Sequence, residues 1–355
     1  MKKFLSIVLA LVCFLLPLAA CKKGITEKKE YETRTKTVSY VHFNTVSTIS
    51  SYGDTTAEEF EEYVKIADEM LGYYHKLFDI YYEYAGVNNI KTINDNAGKS
   101  ATEVDGELID FLLYCKQLYE LTNGKTNIML GSVLKIWHDK REDADASGGY
   151  LDESLLPTRE ELTTAAMHTS IDLLVIDEEA KTVYISDPEA SIDVGAIAKG
   201  YAASKLAERL KALGANSMAI NAGGNIITIG LKPGGDKWVT GITNPDRTSD
   251  NSLICKVEIG ETSLVTSGSY ERYFVSGNKA YHHVIDPATL MPADYFASVS
   301  IFASDSGLAD SLSTALFCMS YEEGLALVKK LGGVEVIWIY DDGTMKYTDG
   351  VLFAN

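Results

Sequence analysis

Ser217-Met218-Ala219-Ile220-Asn221-Ala222-Gly223-Gly224-Asn225-Ile226-Ile227-Thr228-Ile229-Gly230 is the stretch on which the fold turns. Two short apolar runs, 217–221 and 225–230, flank a glycine pair, the pattern of neighbouring strands joined by a tight turn. Paired glycines also permit positive φ and close backbone approach, so the turn is open to either a hairpin or a ligand-facing reading. A helix expected over Ile197 to Leu213 leads into this pair. Strands are expected beyond it at Trp238–Ile242, Leu253–Ile259, Ser263–Thr266, Tyr270–Val275 and Ala297–Phe302. Helices follow over Gly307–Met319 and from the capping box Ser320-x-x-Glu323, then strands Glu335–Tyr340 and Met345–Leu352. Upstream, Val38–Ile49 reads as one strand, and Thr56-x-x-Glu59 opens a helix with Phe60, Val64, Leu71, Tyr74 and Phe78 at helical spacing. A second helix over Val104–Leu121 ends at Asn123-Gly124, acidic Asp139–Leu156 reads as a surface loop, and Thr158 starts another helix. Strands Leu173–Ile176 and Thr182–Ile185 complete the pattern. Strands that follow strands predict an α+β fold with mixed and antiparallel sheets and packed helices, not a regular βαβ array.

The N-terminus reads as an address. Lys2 and Lys3 precede a run, Phe4–Leu18, that is apolar apart from Ser6, and Leu18-Ala19-Ala20-Cys21 closes it. The run is short for a membrane span and suits a signal peptide. Small residues before Cys21 match a bacterial lipobox, which predicts a signal peptide over 1–20 and lipidation of Cys21. Residues 21–36 then form a flexible tether, and 37–355 the folded domain. An acyl anchor tethers a protein without spanning the membrane. With 50 acidic residues against 32 basic and a net charge of −18, nucleic acid is not an expected partner. Cys115, Cys255 and Cys318 remain after the leader, without Cys-x-x-Cys or Cys/His spacing, and read as small buried hydrophobes.

Four segments carry chemistry. In Ile192-Asp193-Val194-Gly195-Ala196-Ile197-Ala198-Lys199-Gly200-Tyr201, small residues surround one Asp and one Lys before a helix. Free N–H groups, the helix dipole and Lys199 suit an anion, although a tight turn with a solvated lysine has the same composition. Asn221-Ala222-Gly223-Gly224-Asn225 is the glycine turn already quoted. Tyr281-His282-His283-Val284-Ile285-Asp286-Pro287-Ala288-Thr289, after Thr266-Ser267-Gly268, carries adjacent histidines. On a strand they point to opposite faces, so one can face a site while the other packs. In Asp305-Ser306-Gly307-Leu308-Ala309-Asp310-Ser311-Leu312-Ser313-Thr314, Asp310 and Thr314 lie one helical turn apart. A carboxylate and a hydroxyl so placed suit Mg²⁺ completed by water and phosphate oxygens. A threonine bonding back to its i−4 carbonyl is the alternative.

Taken in order, these segments resemble the ApbE family of FAD:protein FMN transferases. The likeness runs from Phe43-Asn44-Thr45 to Gly324 and includes Leu121-Thr122-Asn123-Gly124 with Trp137 after it. It implies an ApbE-like (T-fold-like) domain that moves FMN from FAD to a Thr or Ser hydroxyl of another protein and releases AMP. Magnesium would be held by the Ala196 carbonyl, the Asp310 carboxylate and the Thr314 hydroxyl. FAD would contact Phe43, Tyr81 (or Tyr82), Lys125, Thr126, Asn127, Asp193, Lys199 and Ile285. His283 would assist proton removal from the acceptor, with Asp310 able to share that role. The family also implies exported or membrane-bound acceptor flavoproteins. Two alternatives keep the same ligands: a magnesium-dependent FAD pyrophosphatase, and a non-enzymatic flavin-binding lipoprotein. Two departures from the family pattern stand out. Leu290 occupies a usual glycine place, which predicts a reshaped loop, and Thr126-Asn127-Ile128 replaces a Phe-Asp-Pro.

Overall fold

The computed structural model describes residues 32–354. The expected signal segment, Cys21 and the tether as far as residue 31 lie outside the described residues. The elements run β1 (Glu32–Ser39), β2 (Ser47–Gly53), α1 (Ala57–Phe78), α2 (Ile90–Asp95), β3 (Thr102–Glu103), α3 (Gly106–Leu121), α4 (Gly131–Ala146), α5 (Arg159–Ala166), β4 (Leu174–Asp177) and β5 (Thr182–Ile185). They continue with α6 (Ala198–Ala212), β6 (Met218–Ala222), β7 (Asn225–Ile229), β8 (Trp238–Thr243), β9 (Leu253–Ile259), β10 (Ser263–Gly268), β11 (Tyr273–Ser276) and β12 (Lys279–His282). β13 (Ser298–Ala303), α7 (Ser306–Phe317), α8 (Tyr321–Leu331), β14 (Glu335–Ile339) and β15 (Met345–Tyr347) close the chain.

An eight-stranded sheet in the order β1-β2-β6-β7-β10-β13-β14-β15 organises the fold. β6 and β7 pair antiparallel from Met218↔Ile229 to Ala222↔Asn225, so the glycine turn is a hairpin. Side-chain alternation sorts the sheet's faces. Val299 and Ile301 of β13 and Val336 and Trp338 of β14 pack with α7 and α8. Phe302, Ile337 and Ile339, one residue out of phase, pack instead with Trp238, Ile242, Val257 and Ile259 of the β8–β9 hairpin. Helices thus cover one face and a two-stranded hairpin covers part of the other. The fold is α+β with antiparallel pairing, and no barrel closes among the described residues. Cys115 and Cys318 are buried, whereas Cys255 is half-buried rather than fully packed away.

Three expectations change. β1 begins at Glu32, so residues 32–36 of the expected tether belong to a sheet strand. Val38–Ile49 is not one strand: a 3-10 turn, His42–Asn44, separates β1 from β2, because Phe43 and Asn44 take left-handed φ of 55° and 52°. Residues 139–146 of the expected acidic loop are the second half of α4. That helix buries only Gly131, Val133, Trp137 and Ala144. Ion pairs one turn apart, such as Lys135–Asp139 at 2.7 Å, occupy its solvent side. A helix with so narrow an apolar stripe reads as loop by composition.

Candidate active site

α6 and α7 lie against each other at a glycine. A Cβ on Gly200 would stand 2.2 Å from the Ser306 carbonyl and 2.7 Å from Asp310 Cβ. Only hydrogen at this position lets the start of α6 reach the first turns of α7. The Gly200 N–H donates to Asp310 Oδ2 at 2.9 Å, and Lys199 Nζ is 3.7 Å from the same oxygen. Gly200 therefore does not turn back to the Ala196 carbonyl four residues before it. Asp310 is 4% exposed, and its Oδ1 has no protein partner among the described residues. The Asp310 carbonyl accepts from Ser313 Oγ at 2.8 Å, so it is Ser313 and not Thr314 that bonds back along the helix. Asp305, which caps α7 through the Gly307 N–H, also accepts from Tyr114 Oη at 2.7 Å and Ser204 Oγ at 3.1 Å. Those bonds lock α7 to α3 and α6.

A cleft of about 1200 Å³ opens at this junction. Phe43, Tyr81, Lys125, Thr126, Asn127, Asp193, Ala196, Lys199, His283, Ile285, Asp310 and Thr314 all line it. Ala196, Asp310 and Thr314 offer a carbonyl, a carboxylate and a hydroxyl, an all-oxygen set that fits Mg²⁺. Among the described residues no three His, Cys, Asp or Glu side chains come together, so an ion here depends on such mixed oxygens.

The opposite chemistry lines the same cleft. Arg141 of α4, Arg272 before β11 and Lys199 all act on His283, which burial first, then Arg272, His282, Arg141 and Lys199, hold down to about 3. Its ring is neutral at pH 7, and its Nδ1 is buried without a hydrogen-bond partner. His282 is spent on structure. Its Nε2 donates to the Ala293 carbonyl at 2.7 Å, its Nδ1 accepts from the Val284 N–H, and its ring meets Phe317 edge-on. Burial raises the Asp193 carboxyl, opposed by the Gly195 N–H and by His138, Arg141 and Arg272. Burial also lowers Arg141, with Arg272 adding to it, the signature of two guanidinium groups sharing a pocket. Asp193 is the acidic neighbour that both guanidinium groups act on, and the pair suits a diphosphate.

The expected flavin-facing residues divide in two. Tyr81 Oη bonds His138 Nδ1 at 2.8 Å, while its ring remains 47% exposed. Tyr82 also lines the cleft but is 69% exposed. Lys125, Thr126 and Asn127 line the cleft with side chains engaged within the protein. Lys125 pairs with buried Asp286 at 2.9 Å, and Thr126 Oγ1 donates to the Ser311 carbonyl at 2.8 Å. Asn127 bridges the Thr169 carbonyl and the Met129 N–H. Ile285 is buried and bridges to Pro292. These four act as framework.

The sequence model of the ApbE family matches residues 43–338. The chain belongs to the ApbE family. Its relatives include the FAD:protein FMN transferase of Treponema pallidum, 32% identical over 275 residues that cover 74% of each chain. That of Haemophilus influenzae is 27% identical over 340 residues, 93% of this chain and 91% of the relative. Among solved structures, the ApbE protein of Thermotoga maritima superposes with a TM-score of 0.75 at 27% identity, covering 90% of this chain and 97% of its own. The flavin transferase ApbE of Vibrio cholerae shares the fold, with a TM-score of 0.72 at 22% identity.

Leu290 adopts φ of 63°, the left-handed conformation a glycine would take freely. Its carbonyl accepts from Trp137 Nε1 at 2.9 Å, its N–H reaches the Asp286 carbonyl at 2.8 Å, and its side chain is buried with Trp137 and Phe274. Burial and these bonds hold the strain in place. His138, Arg141 and Arg272 are cleft residues absent from the sequence-based set. His138 and Arg141 are three apart, a helical spacing that becomes visible once 139–146 is read as helix.

Proposed function

We propose that the chain is an FAD:protein FMN transferase, and that it works outside the cytoplasm, tethered to a bacterial membrane through lipidated Cys21. What supports the transferase reading is one cleft that brings Lys199, Arg141 and Arg272 together with a histidine whose buried Nδ1 has no partner and with the Ala196–Asp310–Thr314 oxygens. What supports the anchor is Leu18-Ala19-Ala20-Cys21 after an apolar run with a basic start. The partners are FAD and an acceptor flavoprotein of exported or membrane redox chains.

FAD binds with its diphosphate among Lys199, Arg141 and Arg272, and its isoalloxazine near Phe43 and Tyr81. Ala196, Asp310 and Thr314 would hold Mg²⁺, and the ion would supply charge stabilisation for the diphosphate and the departing AMP. Neutral His283 accepts the proton of the acceptor hydroxyl as that oxygen bonds to the FMN-side phosphorus. The phosphorus–oxygen bond to AMP breaks, leaving a phosphoester on the protein. A ring held near 3 is a weak base in the empty cleft. The dianionic diphosphate offsets the cations that depress it, so His283 strengthens as a base when FAD is present.

The test is to incubate the purified protein with FAD, Mg²⁺ and a candidate flavoprotein, then weigh the acceptor. A mass gain equal to FMN with release of AMP is expected. Free FMN without a gain would identify a pyrophosphatase, and FAD left intact a binding protein. For the anchor, detergent-phase partitioning that survives Cys21→Ser would refute lipidation.

A further inference from the structure

Phe43 and Asn44, both left-handed, form a strained turn at the cleft, and strain of this kind needs an external hold. The Phe43 N–H donates to His75 Nδ1 at 3.3 Å. A nitrogen that accepts carries no proton, so the neutral ring bears its hydrogen on Nε2, 3.3 Å from Tyr84 Oη. Nε2 donates to that hydroxyl, and the hydroxyl donates to Asp79 Oδ2 at 2.7 Å. Asp79 Oδ1 accepts the N–H groups of Tyr81 at 2.7 Å and Tyr82 at 3.1 Å. One continuous chain of hydrogen bonds, every donor and acceptor assigned, thus joins the backbone of Phe43 to the backbone of Tyr81.

The surroundings favour the neutral ring. Burial lowers His75 below the ordinary histidine value, Asp79 opposes this, and His42 and Lys76 add to it. His42, its ring 5.9 Å away, is itself tied to Asp68 at 2.9 Å. Phe43 meets the His75 ring edge-on, so the ring supports that side chain as well as its amide.

The geometry points to His75 as a positioning residue for flavin binding, which holds the Phe43 turn through Nδ1 and sets its spacing from Tyr81 through Tyr84 and Asp79. This rests on the reading of Phe43 and Tyr81 as flavin contacts. Removing the acceptor orphans the Phe43 N–H and frees the turn, and the loss is read in FAD affinity rather than in chemistry.

The experiment measures the Kd for FAD by flavin fluorescence on the full chain in detergent, with thermal midpoint and kcat at saturating FAD beside it. His75→Ala should raise Kd about tenfold, the scale of one hydrogen bond lost to a half-buried amide. His75→Asn, whose Oδ1 stands near the place of Nδ1, should stay within about threefold of the unaltered protein. Both should keep kcat, and the midpoint of His75→Ala should fall by more than that of His75→Asn. Unchanged affinity in His75→Ala, while Phe43→Ala and Tyr81→Ala bind weakly, overturns this inference and spares the flavin reading. An Asn variant as weak as Ala at matched midpoint also overturns it. Unchanged affinity in both Phe43→Ala and Tyr81→Ala overturns the flavin reading and the inference with it. If His75→Ala fails to fold, Tyr84→Phe carries the test: a raised Kd supports the relay and an unchanged one refutes it.

Discussion

Gly200→Ala is a change whose sign separates a helix-propensity argument from a packing argument. In an exposed helix interior the replacement would stabilise by about 1 kcal/mol. Here the new methyl would sit 2.2 Å from the Ser306 carbonyl, where real Cβ atoms keep at least 3.0 Å from such neighbours. The helices must part by about 0.8 Å or more, since backbone rather than a flexible side chain is in the way. Overpacking of this order costs about 1–3 kcal/mol. The 2.9 Å bond from the Gly200 N–H to the Asp310 carboxylate stretches with it, and a hydrogen bond to a charged group contributes about 1.5–3 kcal/mol. The sum exceeds the propensity gain, so a net loss of about 1.5–5 kcal/mol is expected. Function should suffer more. Asp310 sits on one of the helices being parted and Ala196 two residues before the other, and a misplacement near 1 Å can lower a rate about 10²-fold. Denaturant unfolding gives the first number, and acceptor flavinylation at saturating FAD and Mg²⁺ gives the second. A variant as stable as the parent, or one that transfers FMN within threefold of it, would refute the claim that this contact sets the geometry of the cleft.

Asp310→Asn keeps an oxygen for the Gly200 N–H and removes the charge; transfer should fall about 10²-fold or more, with the thermal midpoint nearly kept and excess Mg²⁺ giving no rescue. His283 has its folded value held to about 3, below the ordinary 6.5, so the unfolded chain takes up the proton first as pH falls. Its contribution to stability is complete above about 6.5 and is lost between about 6.5 and 3, with a slope of at most about 1.4 kcal/mol per pH unit. His283→Gln should flatten that acid limb of midpoint against pH while lowering transfer about 10²-fold; an unchanged limb counts against the burial argument. At Leu290, loss of the buried side chain should cost about 2–5 kcal/mol, but Leu290→Gly should be about 1 kcal/mol more stable than Leu290→Ala, the reverse of the order at ordinary positions. Unfolding curves of the two variants decide it.

Strand alternation and capping boxes made most of the fold legible before any coordinates. Thr56 with Glu59, Thr158 with Glu161 and Ser320 with Glu323 each form the reciprocal cap their spacing predicts. The Gly223–Gly224 turn takes positive φ at both residues, and a Cβ on Gly223 would meet Thr45 Oγ1 at 2.3 Å, so the turn serves as hairpin and as close packing surface together. What was hidden follows from local rules being overridden. α4 carries too few apolar residues to announce itself, and its His138 and Arg141 were hidden with it. Left-handed φ at Phe43 and Leu290 goes against side-chain preference and is held in part by partners distant in sequence, His75 and Trp137. Lys125, Thr126 and Asn127 were legible as lining but not as framework, because their bonding partners, Asp286, Ser311 and Thr169, are remote along the chain.

The Gly200–Asp310 contact spans 110 positions, and its carboxylate arrives on one of the last helices to be made. A nascent chain that has completed the aromatic turn, Tyr81 and Lys199 already owns much of the cleft wall yet lacks the acid that faces them. β13 must add beside β10 and carry α7 over the sheet before that acid is delivered. A copy that ended before α7 would lack Asp310, so on the proposed function turnover would report that synthesis had passed this helix.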